Sequence, residues 1–359
     1  MNTKIALHIN EIIKETPDAI SICFAQPEQA FSYRSGQFLT LACTIDGKEE
    51  RRCYSLSSSP YVDNHLSVTI KRVKGGKVSN YLIDNLKIGD KIEVLPPAGN
   101  FYCEPKDFSR QIVLIGGGSG ITPLFSIIKS VLTQEPSSIV LLIYVNVNRE
   151  QTIFYEALQS WADQFPSRFR ILYYWSDEKK NNSSNSGFFS KLFKKKNAHR
   201  INPNRLKRIF DELEIKKEFP HEFYLCGPQG LMKMANTTLQ KAGFSKQVIY
   251  KESFCATNET EGPSAKSTQD YPIKILLKGK EHQLKAVAGQ PILFSGLESG
   301  LELPYSCQSG NCTSCAAKCI SGTVAMSTKE GLTRVQIENG YVLTCVGYAH
   351  SDDVVVEYD

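Results

Sequence analysis

Short runs of alternating hydrophobic and polar residues fill the chain from its start to about residue 105. Runs such as FLTLACTI and HLSVTIKRV are separated by stretches that favour turns, among them DGK, SSSP and VKGG. A period of two is typical of strands with one buried face, and closely spaced turns favour antiparallel neighbours. We therefore expect residues 1–107 to form an antiparallel β-barrel.

A different pattern begins at Arg110. The apolar runs QIVLI, IVLLIYV, FRILYYW and EFYLCG alternate with longer amphipathic stretches. Alternation of strands with helices is the mark of a parallel sheet, so residues 108–255 are predicted to form an α/β domain. Residues 256–270 are polar, contain Gly and Pro and are expected to be a linker. Residues 271–359 would then form a third, small domain.

One segment, residues 177–199, fits none of these units. Its sequence, DEKKNNSSNSGFFSKLFKKKNAH, is first polar and of low complexity and then strongly basic. We predict a solvated insertion on the surface of the α/β domain. The run GFFSKLFKKK could instead lie on an anionic membrane surface, with its Phe and Leu side chains inward and its Lys side chains outward.

Composition and charge narrow the class of protein. With 359 residues, 41% hydrophobic and 22% charged, the chain is typical of a globular protein of two or three domains. The start, MNTKIALHINEIIKE, lacks the unbroken apolar stretch of a secretory signal, and the most apolar stretch, residues 112–132, contains four glycines and a proline. We therefore expect a cytoplasmic protein that does not span a membrane.

The net charge of +5 is unevenly distributed. Residues 271–359 contain seven Lys/Arg and nine Asp/Glu residues, a net −2, which leaves +7 for the rest of the chain. The third domain could be attracted electrostatically to the other two, or the scatter could have no consequence. No segment is typical of DNA binding, so no nucleic-acid partner is expected.

Five of the eleven cysteines fall between Cys307 and Cys345. In a large chain without an export signal, such crowding indicates a metal site more than disulfides. The segment PYSCQSGNCTSCAAKC has the spacing C-x4-C-x2-C, and Cys345 follows Cys315 with 29 residues in between. Ferric iron bridged by sulfide needs four thiolates, and a tight loop lets three of them converge. We predict that a 2Fe–2S cluster is bound by Cys307, Cys312, Cys315 and Cys345.

This spacing resembles that of plant-type ferredoxins, and the resemblance extends over residues 271–359, including Tyr305 and Gly310. It implies a β-grasp-like α+β fold for this domain. A structural zinc site is the alternative, although zinc sites more often use two short cysteine pairs. Cys319 departs from the ferredoxin pattern, where an aliphatic residue is usual. It could be a small buried residue or a substitute ligand.

A second motif is the run Arg51-Arg52-Cys53-Tyr54-Ser55, followed by GGKVSNYL at residues 75–82. An arginine can pair with a pyrophosphate, a tyrosine ring can cover an aromatic face, and a serine hydroxyl can reach a reacting atom. Gly76 permits close backbone approach. Ser79 is expected to cap a helix that starts at Asn80 and points its N-terminus at a phosphate.

Together with PPAGNF at residues 96–101, these two motifs resemble those of the ferredoxin-NADP reductase family. The Arg-x-Tyr-Ser run alone could belong to an ordinary strand. The resemblance implies that FAD is bound in the barrel domain and that Ser55 lies at the flavin N5 atom. The residues implied for FAD binding are Arg52, Cys53, Tyr54, Ser55, Ile70, Lys71, Gly76, Lys77, Val78 and Ser79.

The run QIVLIGGGSGITPLFSIIKSV predicts a strand, a glycine-rich turn and a helix, with Thr122 as N-cap and Pro123 as the first helical residue. The bare backbone at Gly116, Gly118 and Gly120, next to a helix N-terminus, could seat a pyrophosphate. The G-x-G-x-x-G fingerprint is absent, because Ile121 occupies the third glycine position counted from Gly116.

Three further positions follow from the same family resemblance. A Cys-Gly-Pro turn lies beside the nicotinamide in that family, which implies that Cys226 guides the hydride, with Gly227 and Pro228 binding the cofactor. The alternative is a strand that simply ends at Gly-Pro. In the run KESF, Glu252 is implied to belong to a proton or ion-pair network near the flavin, and Phe254 to lie at the flavin edge.

The choice between NADPH and NADH is left open by the sequence. Arg149, in the run NVNREQTIF, could pair with the 2′-phosphate of NADPH. It could equally be a plain surface residue, with Val147 at the corresponding position.

The whole chain is similar to oxygenase reductases in which a ferredoxin-NADP reductase module precedes a plant-type ferredoxin, such as the reductase components of phenylacetyl-CoA and phenol oxygenases. The implied activity is hydride transfer from NADPH or NADH to FAD, then transfer of single electrons through the cluster to a protein acceptor such as an oxygenase. A redox sensor that holds the same groups without turnover is the alternative. The six scattered histidines offer no His-carboxylate iron triad of a hydroxylase.

Overall fold

The computed structural model describes residues 4–25, 32–177, 201–212, 219–254 and 265–358. Three sheets of four or more strands follow one another along these residues. The predicted insertion at residues 177–199 lies outside the described residues apart from Asp177, as does the first part of the predicted linker. Its two interpretations, a solvated loop and a membrane contact, stay predictions.

The first sheet contains six antiparallel strands: β1 Ile5–Thr16, β2 Ala19–Phe24, β3 Phe38–Ile45, β4 Lys48–Ser55, β5 Ser67–Lys71 and β6 Lys91–Ala98. Their order is β4-β3-β6-β1-β2-β5, and a bridge between Leu56 and Val68 joins the two outer strands. The sheet thereby curls around a buried apolar core and confirms the predicted barrel.

Helix α1, Lys77–Asn85, follows β5 and starts earlier than predicted. The prediction that Ser79 caps a helix at Asn80 is wrong, because the N-cap is Gly76. The Ser79 hydroxyl instead accepts a hydrogen bond from the Val73 N–H at 3.1 Å. The Gly76 N–H donates to the Val73 carbonyl at 2.9 Å, so the closed turn directs the chain into the helix at Lys77.

The second sheet is entirely parallel and contains β7 Gln111–Gly117, β8 Ile139–Asn146, β9 Phe169–Trp175, β10 His221–Cys226 and β11 Ile249–Glu252, in the order β11-β10-β7-β8-β9. Its helices are α2 Ile121–Gln134, α3 Tyr155–Gln164, α4 Pro203–Glu212 and α5 Gln229–Lys241. Separate apolar cores, one with α2 and α3 and one with α4 and α5, cover its two faces. The α/β prediction is confirmed.

Helix α2 also begins before its predicted start. A short 3-10 turn, Gly118–Gly120, runs directly into it, and the N-cap is Gly120. The predictions of Thr122 as N-cap and Pro123 as first helical residue are therefore wrong. Thr122 lies in the first turn, and its hydroxyl donates to the Ser119 carbonyl at 2.9 Å. No extended residue separates the turn from the helix, since Gly120 itself has helical backbone angles.

The third unit is built on a mixed sheet. Its strands are β12 Tyr271–Leu277, β13 Lys280–Ala286, β14 Ala316–Ser321, β15 Val324–Met326, β16 Tyr341–Leu343, β17 Gly347–Ala349 and β18 Val354–Tyr358, with helices α6 Ile292–Glu298 and α7 Arg334–Glu338. Five strands pair in the order β13-β12-β18-β14-β16, with β12 and β18 parallel, while β15 pairs with β17. One apolar core lies beneath them, which confirms the α+β prediction.

A buried ion-pair network lies at the start of the parallel sheet. Arg110, 1% exposed, lies 2.6 Å from Glu135 and 2.8 Å from Glu222, and it donates to the Glu104 carbonyl at 2.9 Å. Removing Arg110 would leave the buried Glu135 unpaired, so the network holds the end of α2 against the start of β7.

Among the residues that the structure describes, no helix is both long and apolar enough to cross a membrane.

The glycines after β7 allow two strand ends to pack in direct contact. A Cβ at Gly120 would lie 2.1 Å from the Cys226 carbonyl oxygen, and one at Gly117 would lie 2.6 Å from Pro228. A Cβ at Gly227, where φ is +151°, would lie 2.8 Å from the Gly117 nitrogen. Any side chain at these positions would separate β7 from β10.

We predict that Gly120→Ala lowers the free energy of unfolding by about 2 kcal/mol or more, because its methyl group would overlap the backbone of Cys226. Gly230→Ala in α5 is the matched control, since a Cβ there meets nothing within 4 Å and alanine favours helices. Thermal unfolding of both variants measures the difference. Equal stability of the two variants would contradict the close packing.

Candidate functional site

A cleft of about 340 Å³ lies between the barrel and the parallel sheet. Predicted cofactor residues that line it are Arg52, Cys53, Tyr54, Ser55, Lys71, Gly76, Lys77, Val78, Ser79, Thr122 and Phe254. Four further lining residues, Thr69, Arg72, Val73 and Ser119, are next to these in the chain but were not predicted. Ile70 does not line the cleft, because its side chain is fully buried in the barrel core.

Four cationic residues border this cleft, Arg52, Lys71, Arg72 and Lys77, together with the N-terminus of α1. Cationic groups beside a helix N-terminus are the usual partners of a pyrophosphate. The aromatic residues Tyr54 and Phe254 line the same cleft. A ligand with a flat aromatic ring and a pyrophosphate tail suits this set of residues, and FAD is such a ligand.

Of the three residues predicted to be catalytic, Ser55 lines the cleft, whereas Glu252 and Cys226 do not. Ser55, the last residue of β4, donates a hydrogen bond to Glu252 Oε2 at 3.2 Å. Cys226 and Glu252 are paired neighbours at the ends of β10 and β11. All three side chains are buried, since Ser55 is 3%, Glu252 6% and Cys226 0% exposed. The structure therefore gathers a hydroxyl, a carboxyl and a thiol in a site with little water.

Burial determines the protonation of these groups. It raises the pKa of Glu252 to about 8, against a smaller lowering by the Ser55 hydrogen bond. The pKa of Cys226 also lies well above its usual value, first because of burial and then because of the nearby Glu252 charge. At neutral pH the carboxyl therefore holds a proton and the thiol is neutral. Ser55 and Glu252 can together hold or accept a proton at an atom placed beside Ser55.

The glycine turn was predicted to seat a pyrophosphate, and its residues differ in how much space they leave. Gly116 and Gly120 are needed for packing, since a Cβ at Gly116 would lie 2.9 Å from Leu124. Gly118 is open on its outer side and has φ of +54°. The nearest atom to a Cβ built there is Lys71 Nζ, at 4.0 Å. Only Gly118 of the three leaves its outer side open to a ligand.

Arg149 does not line the cleft. Its guanidinium lies 4.3 Å above the Tyr155 ring and 3.2 Å from Glu156, in the loop after β8. Val147, the first residue after β8, is 44% exposed. The role of Arg149 at a 2′-phosphate therefore stays a prediction.

The four predicted cluster ligands are close together in space. The Cys307 and Cys312 sulfurs are 3.1 Å apart, and hydrogen bonds link the Cys345 thiol to both Cys307 and Cys315. Cys312 and Cys345 donate to the Cys307 sulfur, and this lowers the Cys307 pKa well below its usual value. A donor from Cys345 likewise lowers the pKa of Cys315. The same hydrogen bonds raise the pKa of their donors, Cys312 and Cys345.

The four thiols can be divided between the two irons of a 2Fe–2S cluster. Each iron takes two thiolates, and the contacts of Cys307 with Cys312 and of Cys315 with Cys345 provide two pairs. Cys319 is outside the group, since its thiol donates to the Ser321 carbonyl at 3.3 Å.

The cluster loop packs directly against the strands that carry Ser55 and Glu252. Arg51 of β4 donates to the Tyr305 carbonyl at 3.1 Å and stacks 4.3 Å above the Tyr305 ring. Asn311 donates to the carbonyl of Ser253, the residue after β11, at 2.6 Å. These contacts join residues far apart in sequence, and no local motif could have predicted them.

Comparison with known proteins gives the same three-part organisation. Residues 6–102 match the model of an oxidoreductase FAD-binding domain, residues 114–237 that of an oxidoreductase NAD-binding domain, and residues 275–350 that of a 2Fe-2S iron-sulfur cluster binding domain. These matches support iron and sulfide, and not zinc, at the cysteine loop.

Full-length relatives are also found. One component of 1,2-phenylacetyl-CoA epoxidase from Escherichia coli K12 is 33% identical, over 100% of this chain and 99% of its own length. The ferredoxin reductase component of 3-ketosteroid-9-alpha-monooxygenase from Rhodococcus rhodochrous is 33% identical, over 99% of this chain and 97% of its own. The solved structure of phthalate dioxygenase reductase has a similar fold, with a TM-score of 0.60 at 24% identity, covering 99% of this chain and 98% of that one.

We predict that the buried carboxyl makes stability depend on pH. Between the ordinary pKa of 4.5 and the folded value of about 8, the folded protein keeps a proton on Glu252 that the unfolded chain has lost. The free energy of unfolding should therefore fall as pH rises through this window, by on the order of a few kcal/mol. Glu252→Gln should lose less stability over the same window.

The measurement is thermal unfolding of the cofactor-loaded protein at the two ends of this window. Glu298→Gln, at an exposed residue of α6, is the control and should behave as the unmodified protein does. If Glu252→Gln loses as much stability as the unmodified protein, Glu252 is ionised in the folded state and the assignment is wrong.

Proposed function

The chain belongs to the family of oxygenase reductase components that carry FAD-binding, NAD-binding and 2Fe–2S domains, and from this premise we propose that its electron acceptor is an oxygenase component. It is an oxidoreductase that passes electrons from NAD(P)H through FAD to a 2Fe–2S cluster. Two full-length relatives are named as parts of an epoxidase and of a monooxygenase, and these names support the class of acceptor.

One observation carries the assignment of roles to residues: the buried group of Ser55, Glu252 and Cys226 lies at the end of the same strand that packs against the cluster loop. When bound, FAD takes up a hydride as two electrons and releases them one at a time, which a cluster can accept. The protein supplies binding, orientation and a dry environment for this exchange.

The cleft residues have distinct roles in this proposal. Arg52, Lys71 and Lys77, three of the four cations around the cleft, bind the pyrophosphate of FAD. Tyr54 and Phe254 orient the flavin ring by aromatic contact. Both aromatic residues also limit the access of water to the ring.

The buried group at the end of the cleft handles the proton and the hydride. The Ser55 hydroxyl, backed by the protonated Glu252, holds a proton at the flavin N5 atom. The neutral Cys226 thiol positions the nicotinamide for hydride transfer, and Gly227 and Pro228 shape the turn beside it. The cysteines Cys307, Cys312, Cys315 and Cys345 hold the cluster.

The chain is proposed to have three domains joined in part by a linker, and a cytoplasmic location. The division into residues 1–107, 108–255 and 271–359, joined by a linker at 256–270, agrees with the extents of the three sheets. A cytoplasmic location agrees with the ten described cysteines, which are all free thiols.

We predict that Cys345→Ser separates two activities. Reduction of cytochrome c, which requires the cluster, should fall to background, because one iron would lose a thiolate. Reduction of ferricyanide by the flavin should continue through many turnovers. Steady-state assays with NAD(P)H measure both, and Cys319→Ser, outside the group of four thiols, should keep both activities. Loss of ferricyanide turnover together with cytochrome c turnover would contradict separate flavin and cluster modules.

We also predict that Cys226→Ala slows reduction of the flavin by NAD(P)H by about tenfold or more while FAD remains bound. The thiol positions the nicotinamide and makes no contact that the proposal assigns to FAD. Stopped-flow absorbance measures the reduction rate, and the flavin content of the purified protein measures binding. Cys23→Ala, at a buried cysteine of β2, is the control. An unchanged reduction rate would remove Cys226 from the hydride step.

A further inference from the structure

Strand β4 contacts both the flavin cleft and the cluster loop. Arg51 contacts Tyr305 of the loop, and Cys53 contacts the next loop residue, Ser306. The residues from Arg52 to Ser55 line the cleft. Cys53 therefore contacts the loop and also borders the cleft.

A small polar group lies where the loop meets the barrel. The Thr40 and Ser306 hydroxyls share a hydrogen bond. The Cys53 sulfur lies 3.4 Å from the Thr40 hydroxyl and 3.6 Å from the Ser306 hydroxyl. Thr40 is 1% exposed and Ser306 3% exposed, so the contact between them is shielded from water. We name Thr40, Cys53 and Ser306 the latch.

The latch is adjacent in sequence to both redox sites. Cys53 immediately precedes Tyr54 of the flavin cleft, and Ser306 immediately precedes the cluster ligand Cys307. Thr40 is the cross-strand partner of Cys53 on β3. Any shift of Ser306 along β4 would therefore move Cys307 relative to the flavin by a similar distance.

Two further contacts of the C-terminal unit with the first two units are also polar. Asn100 donates to the Gly331 carbonyl at 2.9 Å, and Lys251 lies 3.2 Å from Glu330, with both of these charged groups partly exposed. Polar contacts of this kind are typical of domain interfaces that can open. A buried hydrogen bond in the middle of such an interface contributes more to the choice of one register than exposed ion pairs at its edge.

We propose that Thr40, Cys53 and Ser306 are positioning residues that hold the cluster loop in one register against β4 and so set the rate of electron transfer from flavin to cluster. In each transfer one electron leaves the reduced flavin and converts one ferric ion of the cluster to ferrous iron. The inference rests on the proposed placement of FAD beside Tyr54 and of the cluster at Cys307, and it adds that the latch positions the cluster loop.

The test compares Ser306→Ala and Thr40→Val with Thr44→Val in the full-length, cofactor-loaded protein. Thr44 is an exposed residue of the same strand and is the matched control. Loss of one buried hydrogen bond should raise about fivefold the fraction of molecules in which the cluster loop has left β4. Transfer from flavin to cluster, followed by stopped-flow absorbance, should slow in both latch variants and not in the control. Reduction of the flavin by NAD(P)H should stay unchanged.

A second measurement reports whether the cluster loop is in contact with β4, and it needs no enzyme turnover. Alkylation of Cys53 by N-ethylmaleimide, followed by peptide mass spectrometry, should be about fivefold faster in Ser306→Ala, because the thiol is uncovered when the loop leaves β4. Cys23 of β2, 3% exposed, is the internal control and should stay protected. Ser306→Thr keeps the hydroxyl and should restore both the transfer rate and the protection of Cys53.

Three outcomes would contradict the proposed role of the latch. One is an unchanged transfer rate and unchanged Cys53 protection in both latch variants. Another is equal slowing of flavin reduction and of flavin-to-cluster transfer, which would mean general damage to the fold. The third is a similar effect of Thr44→Val. If the unmodified protein passes no electrons from flavin to cluster, the proposed function is wrong. The protection of Cys53 from alkylation then still shows whether the latch holds the loop on β4.

Discussion

The contact of one strand, β4, with both the cleft and the cysteine loop is the constraint on which the rest of the site depends. Its residues from Arg52 to Ser55 line the cleft, and two of its residues, Arg51 and Cys53, contact the loop. One short strand therefore borders both redox sites. The parallel sheet adds Glu252, which accepts a hydrogen bond from Ser55, and Cys226, because the ends of β10 and β11 are adjacent.

Burial gives the site its chemical character. Glu252 and Cys226 have no countercharge within their group, so low water content keeps both neutral at pH 7. That environment depends on close packing of the strand ends, which the glycines at 117, 120 and 227 permit. The latch joins the barrel to the C-terminal unit through buried hydroxyl groups, whereas the buried Arg110 network lies within the α/β unit.

The sequence predicts those parts of the molecule that are encoded locally. The cysteine spacing between 307 and 315 lies in one loop, and the residues from Arg52 to Ser55 lie on one strand, so short motifs were enough to find both. The predicted starts of α1 and α2 were wrong because neighbouring turns, and not the Ser79 and Thr122 hydroxyls, direct the chain there. Thr40 and Ser306 are 266 residues apart, and nothing in an ordinary threonine or serine indicates that folding brings them together.

The central claim is that flavin and cluster exchange electrons within one chain across β4. Its most direct test is the rate at which the cluster absorbance bleaches after anaerobic mixing with NAD(P)H, measured over a wide range of protein concentrations. Transfer within the chain predicts a first-order rate that does not change with protein concentration. A rate that rises in proportion to concentration would mean that electrons pass between molecules, and it would contradict the account.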